Sequence, residues 1–310
     1  MRSLWHTSTK SEINEVIAPN IVPMQLKVES KYSMISLGTE TLVLNKMVPK
    51  KMMDAMIVPY MEGSFELPIK YGYALSGLTE NGDKVHVMHP HQDKCIVGAD
   101  SIFKECKDLP LSRIPLISNM ETVIKAIWTC DFTTDQEIIV CGFGNIGSLL
   151  AVTLRNYYNL NVKILESNLW RKQKAEELGF ELYNNGIDFD IAFNTTANES
   201  VLQFCIDNAR EEGQIIELSW YGNLKTAINF GGNFHKNRLR LIASQVSKIP
   251  IKKRGDFNYY KRKQLAVEIL NNDIFDRLIT NIIPFDESPK FFDAIRNNKT
   301  PNGLIYLIKY

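Results

Sequence analysis

"IIVCGFGNIGSLLAVTL", residues 138–154, is the stretch on which the fold turns. Ile138 to Cys141 form a short apolar run of the kind that fills a buried strand, and the residues from Asn145 onward open an apolar-faced helix. Between them stands Gly142-Phe143-Gly144-Asn145-Ile146-Gly147, a GxGxxG at the strand-to-helix turn. The first glycine makes the tight turn, the second lets backbone approach a pyrophosphate, and the third lets the helix pack close to the strand. The helix start then offers N–H groups and a positive dipole end to phosphates. Gly142, Gly144, Asn145, Ile146 and Gly147 are therefore candidate cofactor-binding residues. Two other readings share the pattern: a crossover with packing glycines only, and a methyltransferase.

Nineteen residues beyond Gly147, Glu166 ends "NVKILE". A carboxylate there accepts the ribose hydroxyls of adenosine and repels a 2′-phosphate, which favours NAD. Arg171 nearby weakens that preference and keeps NADP open.

Outward from the turn, strands and helices alternate over 120–274. "NVKILES", "FDIAFNTT", "GQIIELSWYG" and "RLRLIASQV" read as strands, while "WRKQKAEELG", "ANESVLQFCIDNAR" and "YYKRKQLAVEILNN" read as helices. Such alternation predicts an α/β fold with a doubly wound parallel sheet of Rossmann type. Thr195-Thr196, Ser219-Trp220-Tyr221 and Ser244 follow three of these strands, where ligands bind in open parallel sheets, and join the candidate cofactor-binding set. At the head of the module, Asn119 is expected to cap the helix in "SNMETVIKAIWTCDF", with Asn119 and Glu121 as lesser ligand contacts.

Both flanks are rich in β signals. "IVPMQLKVES", "TLVLNKMV", "GYALSGLT" and "KVHVMH" read as strands before the module, and "LITNIIPF" and "GLIYLIKY" after it. The expected organisation is 1–119, 120–274 and 275–310, with the outer pieces forming one discontinuous domain.

A net charge of +1 over 310 residues removes the electrostatic case for nucleic acid. The cluster Lys252-Lys253-Arg254 reads as a solvated helix approach. Five scattered cysteines without a CxxC pair fit reduced thiols, "MRSLWHTSTKSE" lacks the apolar stretch of a secretory signal, and residues 138–154 make a poor membrane span. A cytoplasmic location without membrane attachment is expected.

"SLGTE" (36–40), "KYGYALSG" (70–77), "NGDKVHV" (81–87), "NMETVIKA" (119–126) and "VCGFGNIG" (140–147) fall in the order of the medium-chain dehydrogenase/reductase family, which the chain resembles over nearly its whole length. "SMISLGTETLV", "HPHQDK", "ELSWYG" and "RLRLIASQVS" are most similar to the branch named after bacteriochlorophyllide dehydrogenase, which includes zinc-type alcohol dehydrogenase-like members. The resemblance implies a GroES-like catalytic domain made by the flanks, NAD(P)-linked hydride transfer between nicotinamide and a secondary alcohol or ketone, and a homodimer formed along the edge strand near "RLRLIASQV". Zinc-dependent members place Cys, His and Cys where this chain has Leu37, Tyr73 and Ser118 or a neighbour, so no zinc is expected. Thr39 stands at the family's hydroxyl proton relay and Tyr73 at the lost histidine ligand. His89, in "HVMHPHQDKC" (86–95), falls on the residue that lines the substrate pocket. His89, Tyr73 and Thr39 are the candidate catalytic residues, with His89 leading as proton or carbonyl donor. A structural role for the His89-Pro90-His91 loop and a His-x-His-x-Asp metal site are the other readings of that segment. An enone or quinone reductase and a non-catalytic NAD(P)H-sensing subunit are the functional alternatives.

Overall fold

The computed structural model of the chain describes every residue from 1 to 310 except Thr134, Asn185 and Ile187. It divides into two compact units, one made of Met1–Ser118 with Leu270–Tyr310 and the other of Asn119–Ile269.

In the second unit the chain runs β1 (Ile138–Cys141), α1 (Asn145–Asn156), β2 (Val162–Leu165), α2 (Leu169–Glu177), β3 (Glu181–Leu182), β4 (Phe189–Asn194), α3 (Glu199–Asn208), β5 (Ala209–Glu217) and β6 (Arg240–Ala243). The strands form one sheet in the order β3-β2-β1-β4-β5-β6, and every pairing is parallel. That is the doubly wound order, which reverses direction beside β1 and opens a crevice at the carboxyl ends of the strands. The register aligns Leu165, Cys141, Asn194, Glu217 and Ala243 in one row across the sheet. All four residues of β1 are buried, as a central strand covered on both faces requires. α1 buries Leu149, Leu150, Val152 and Leu154, and Phe189, Ala192 and Ile215 pack with Leu202, Cys205 and Ile206 of α3. Each of the Val, Leu, Ile and Phe side chains among these contributes about 1.5–3 kcal/mol by leaving water.

Two elements differ from the sequence expectation here. The helix Ile117–Thr129 begins before Asn119, because the 3-10 turn Ile114–Leu116, with Pro115 in its first positions, leads straight into it. Asn119 lies inside the helix, and its side-chain amide donates to Asn145 Oδ1 at 3.0 Å. The two-residue strand β3 is too short to leave a periodic signal.

In the first unit, a sheet runs through Ile279–Pro284, Ile305–Lys309, Gln25–Met34, Leu75–Thr79, Lys84–Val87 and Ile102–Phe103, with Lys94–Gly98 also paired on Gln25–Met34. The pairing of Leu307, Ile308 and Lys309 with Met34, Ser33 and Tyr32 brings both ends of the chain into one sheet. A smaller antiparallel sheet joins Ser11–Glu15, Arg2–His6, Ile69–Lys70 and Glu62–Gly63.

"TLVLNKMV" is not a strand. Its first four residues complete the helix Leu37–Leu44. The Glu40 carboxylate accepts the Ser36 N–H at 2.6 Å at the helix start, and Asn45 Nδ2 donates to the Thr41 carbonyl at 2.9 Å at its end. Leu44 packs with Ile35, Phe292 and Ile308. Both termini are satisfied locally, and this outweighs the strand preference of the Thr-Leu-Val-Leu run. Among the described residues, no helix is long and apolar enough to cross a membrane.

Arg113 anchors the segment that re-enters this unit. Its side chain is 1% exposed and donates to both carboxylate oxygens of Asp276, to Asp273 Oδ1 and to the Leu270 carbonyl. Replacing Arg113 with Met is expected to cost about 2–3 kcal/mol, since charge-assisted bonds and a buried carbonyl's partner are lost together. Urea denaturation followed by far-UV circular dichroism checks this, and a loss under about 0.5 kcal/mol would show that the anchor contributes little.

Candidate functional site

Gly142 adopts φ +90° at the end of β1, a conformation in which a side chain is strained. A Cβ placed on it would also lie 2.7 Å from Thr195 Oγ1. The restriction at Gly147 is stronger, because a Cβ there would lie 1.9 Å from the Gly142 carbonyl oxygen. The turn thus closes on itself, and α1 starts with N–H groups that have no carbonyl one turn behind them. Gly144, Asn145 and Ile146 are half-buried, while Gly147 is buried.

Glu166 follows β2 beside this turn. Its Oε2 accepts the Phe143 N–H at 2.7 Å, and Oε1 accepts the N–H groups of Ser167 at 2.7 Å and Asn168 at 2.9 Å. These amides take three of about four lone-pair positions on the carboxylate. Arg171 donates its backbone N–H to Asn168 Oδ1, and its Nη1 lies 3.4 Å from the place of a Gly144 Cβ. A carboxylate and a guanidinium therefore flank the same glycine turn.

The other predicted cofactor contacts follow from the aligned row of strand ends. Thr195 donates its hydroxyl to the Cys141 carbonyl at 2.8 Å, and Thr196 donates to Asn194 Oδ1 at 2.7 Å. Ser219 donates its N–H to Glu217 Oε1, its hydroxyl accepts the Ala197 N–H, and Tyr221 donates to Glu217 Oε2 at 3.2 Å. Trp220 is half-buried beside them. Ser244 is 8% exposed, and its hydroxyl has no hydrogen-bond partner among the described residues.

Asn194 and Glu217, which tie these loops together, escaped the sequence reading. Asn194 is fully buried and donates to Glu217 Oε2 at 2.7 Å. Burial pushes the Glu217 carboxyl up, against hydrogen bonds from Ser219, Asn194 and Tyr221 that hold it down. The only sequence signal was a polar residue ending each of two apolar strands. Glu121 pairs with Arg262 at 3.0 Å, so this carboxylate is engaged inside its own unit.

In the first unit, the three histidines of residues 86–95 point to three different partners. His86 Nε2 meets Ser118 Oγ at 2.9 Å, and Ser118 donates to the Tyr73 carbonyl. His89 Nδ1 donates to the Pro90 carbonyl at 2.9 Å, and its ring stacks on Tyr60 with centroids 5.0 Å apart. His91 is fully buried between Glu40 Oε2 at 2.9 Å and Ser33 Oγ at 2.7 Å. Asp93, the acid of the His-x-His-x-Asp reading, accepts the Arg2 N–H at 2.7 Å. The segment is a bonded loop whose imidazoles diverge.

Tyr73 donates its hydroxyl to Ser36 Oγ at 2.5 Å, and both Ser36 and Thr39 act on the phenol as hydrogen-bonding neighbours. The net effect of burial is to raise the Tyr73 phenol, which keeps its proton at neutral pH. Desolvation lowers His89 to about 4. With its proton on Nδ1, a neutral His89 presents a lone pair at Nε2, which accepts rather than donates. Tyr73 and Thr39 thus sit together on the Ser36–Glu40–His91 cluster, and His89 is bonded elsewhere.

No protein-family model and no curated protein matches the chain. Solved structures do. A short chain alcohol dehydrogenase from E. coli CFT073, complexed with NADH, superposes with a TM-score of 0.77 at 14% identity, covering 100% of this chain and 99% of the other. The 2R,3R-butanediol dehydrogenase of Bacillus subtilis gives 0.76 at 17% identity over 100% and 99%. A protein of Sinorhizobium meliloti 1021 described as a zinc-binding dehydrogenase, bound to NADP, gives 0.75 at 14% identity over 99% and 100%. At these identities the likeness is one of fold: an α/β chain with a parallel sheet, matched over nearly the whole of both chains.

Two expectations follow from the geometry. Gly147→Ala sets a Cβ against the Gly142 carbonyl and is expected to cost about 1–3 kcal/mol of stability, read by urea denaturation; unchanged stability would contradict the close packing. His6 and His89, held near 3 and 4 against an ordinary 6.5, stay neutral in the fold while the unfolded chain protonates. Stability should therefore fall as pH drops from 6.5 toward 4, by up to about 1.4 kcal/mol per pH unit for each histidine. His89→Gln should flatten the slope measured by denaturation, and parallel curves would refute the assignment.

Proposed function

We propose that the chain is a zinc-independent, NAD(P)-dependent oxidoreductase of the medium-chain dehydrogenase/reductase type, with its first unit as the GroES-like catalytic domain, acting on a secondary alcohol or ketone. The observation that carries this reading is the closed glycine turn at β1–α1, where a Cβ on Gly147 would meet the Gly142 carbonyl at 1.9 Å. A helix N-terminus opening from so tight a turn supports a diphosphate lying against its backbone. Arg171 adds positive charge at the turn, and Glu166 offers its remaining lone pair to a ribose hydroxyl. Gly142, Gly144, Asn145, Ile146, Gly147 and Glu166 would hold the dinucleotide, with Thr195, Thr196, Ser219, Trp220, Tyr221 and Ser244 at the neighbouring strand ends. When bound, the nicotinamide supplies or accepts the hydride.

The donors at the zinc positions do not suit the metal. Leu37 offers no lone pair, the Tyr73 phenol stays protonated, and the Ser118 hydroxyl is spent on the Tyr73 carbonyl. Proton handling falls to the chain. Tyr73 keeps its proton and is oriented by Ser36 and Thr39, while Glu40 fixes the Ser36 backbone from below. A protonated phenol is the donor a metal-free carbonyl reduction needs. His89 is the lesser candidate, limited to accepting at Nε2. A cytoplasmic homodimer formed along the exposed edge of β6 completes the reading.

Oxidation of NADH in the presence of a ketone panel, with enones and quinones as a parallel panel, decides the substrate class, and elemental analysis of active protein decides the metal. Ketone turnover without stoichiometric zinc supports the proposal, enone or quinone turnover supports the sister reductase, and tight NADH binding without turnover supports a sensor. Tyr73→Phe is expected to lower kcat by about 10²-fold with NADH affinity kept, and full activity in that variant would remove Tyr73 from the mechanism. Glu166→Ala is expected to shift the NADH-to-NADPH affinity ratio about tenfold toward NADPH; a constant ratio would contradict ribose recognition.

A further inference from the structure

His91 is fully buried in the first unit, and three separate segments meet on its imidazole. Its Nε2 lies 2.9 Å from Glu40 Oε2, in the helix Leu37–Leu44. Its Nδ1 lies 2.7 Å from Ser33 Oγ, in the strand Gln25–Met34. The Cδ2–Nε2 edge of the ring lies against Gly72, where a Cβ would stand 3.2 Å from both atoms and where φ is +126°. The His91 backbone N–H also donates to the Tyr71 carbonyl at 3.4 Å.

Proton counting fixes the direction of each bond. Glu40 accepts at both oxygens, from the Ser36 N–H at Oε1 and from the ring at Oε2, so the His91 proton sits on Nε2. With its proton there, the ring accepts at Nδ1, and Ser33 spends its one proton on it. Tyr310, whose phenol burial pushes up, donates to Ser33 Oγ at 2.7 Å. Hydroxyls, imidazole and carboxylate are thus joined in one satisfied network, which rigidifies what it touches.

The consequence falls on Tyr73. Its hydroxyl donates to Ser36 Oγ at 2.5 Å. The residue before it, Gly72, lies against the His91 ring. The backbone of its acceptor, Ser36, is held by Glu40, which His91 holds in turn. Both ends of the Tyr73–Ser36 bond are therefore referred to one imidazole. A ring without the Nε2 donor would leave Glu40 Oε2 buried and unpaired, and the Ser36 turn would shift to relieve it.

We propose that His91 is a positioning residue, which sets the Tyr73 hydroxyl by gripping Gly72 on one side and Glu40 on the other. Its role in the reaction rests on the reading of Tyr73 as proton donor; its hold on the phenol does not.

The test joins a spectroscopic readout to kinetics in the full chain. With tyrosine labelled at ¹³Cζ, the Tyr73 resonance is identified by its loss in Tyr73→Phe. His91→Phe keeps a flat ring on Gly72 and loses the donor. In that variant the resonance is expected to move, and kcat for ketone reduction to fall about 10–10²-fold with NADH affinity kept. His91→Gln has an amide that can still donate to Glu40, so the resonance is expected to stay and kcat to remain within about threefold. Ser33→Ala, which removes the hydroxyl that fixes the ring's tautomer, is the second variant should His91→Phe not fold, and is also expected to move the Tyr73 resonance. An unmoved resonance in the folded variants that lose a donor, or equal loss of kcat in His91→Phe and His91→Gln, would overturn the proposal. A resonance that moves in a chain reducing no ketone upholds the grip on Tyr73 and removes only the reductase reading. Ketone turnover with an unmoved resonance removes His91 and leaves that reading intact.

Discussion

The passage from β1 into α1 leaves no room for a side chain. The Gly142 carbonyl occupies the space a Gly147 Cβ would take, and Gly142 itself holds a positive φ beneath Thr195. The approach brings α1 close against the strand, so that Leu149, Leu150 and Val152 are buried. This steric constraint sets the helix-on-sheet packing, and the proposed diphosphate site is built on it.

The rest of the sheet's carboxyl end follows from strand register rather than from any local motif. Because Leu165, Cys141, Asn194, Glu217 and Ala243 form one row, the residues after them emerge side by side. Glu166, Gly142, Thr195, Ser219 and Ser244 are distant in sequence and adjacent in the sheet. The buried Asn194–Glu217 bond holds two of these loops at a fixed separation, and satisfied polar networks of this kind rigidify a site.

Much of this was legible in the sequence because short apolar strands alternate with helices and the glycines fall at the switch. The failures have physical causes. Thr41 to Leu44 suit a strand as well as a helix, and the deciding contacts are the Glu40 and Asn45 hydrogen bonds to backbone. Asn119 resembles a cap, but Pro115 already starts the helix. Spacing brought three histidines together in the chain, whereas folding sends them to Ser118, Pro90 and Glu40. The Glu40–His91 contact spans 51 residues, and no local pattern announces a partner at that distance.

The account rests on dinucleotide diphosphate lying against the backbone of the glycine turn. Amide chemical shifts of the ¹⁵N-labelled chain, followed during addition of NADH, test this most directly. The account predicts that the largest changes fall on Gly144, Asn145, Ile146 and Gly147, with Phe143 and Ser167 following through Glu166. Unmoved amides at the turn, under conditions where NADH shifts other parts of the chain, would contradict it.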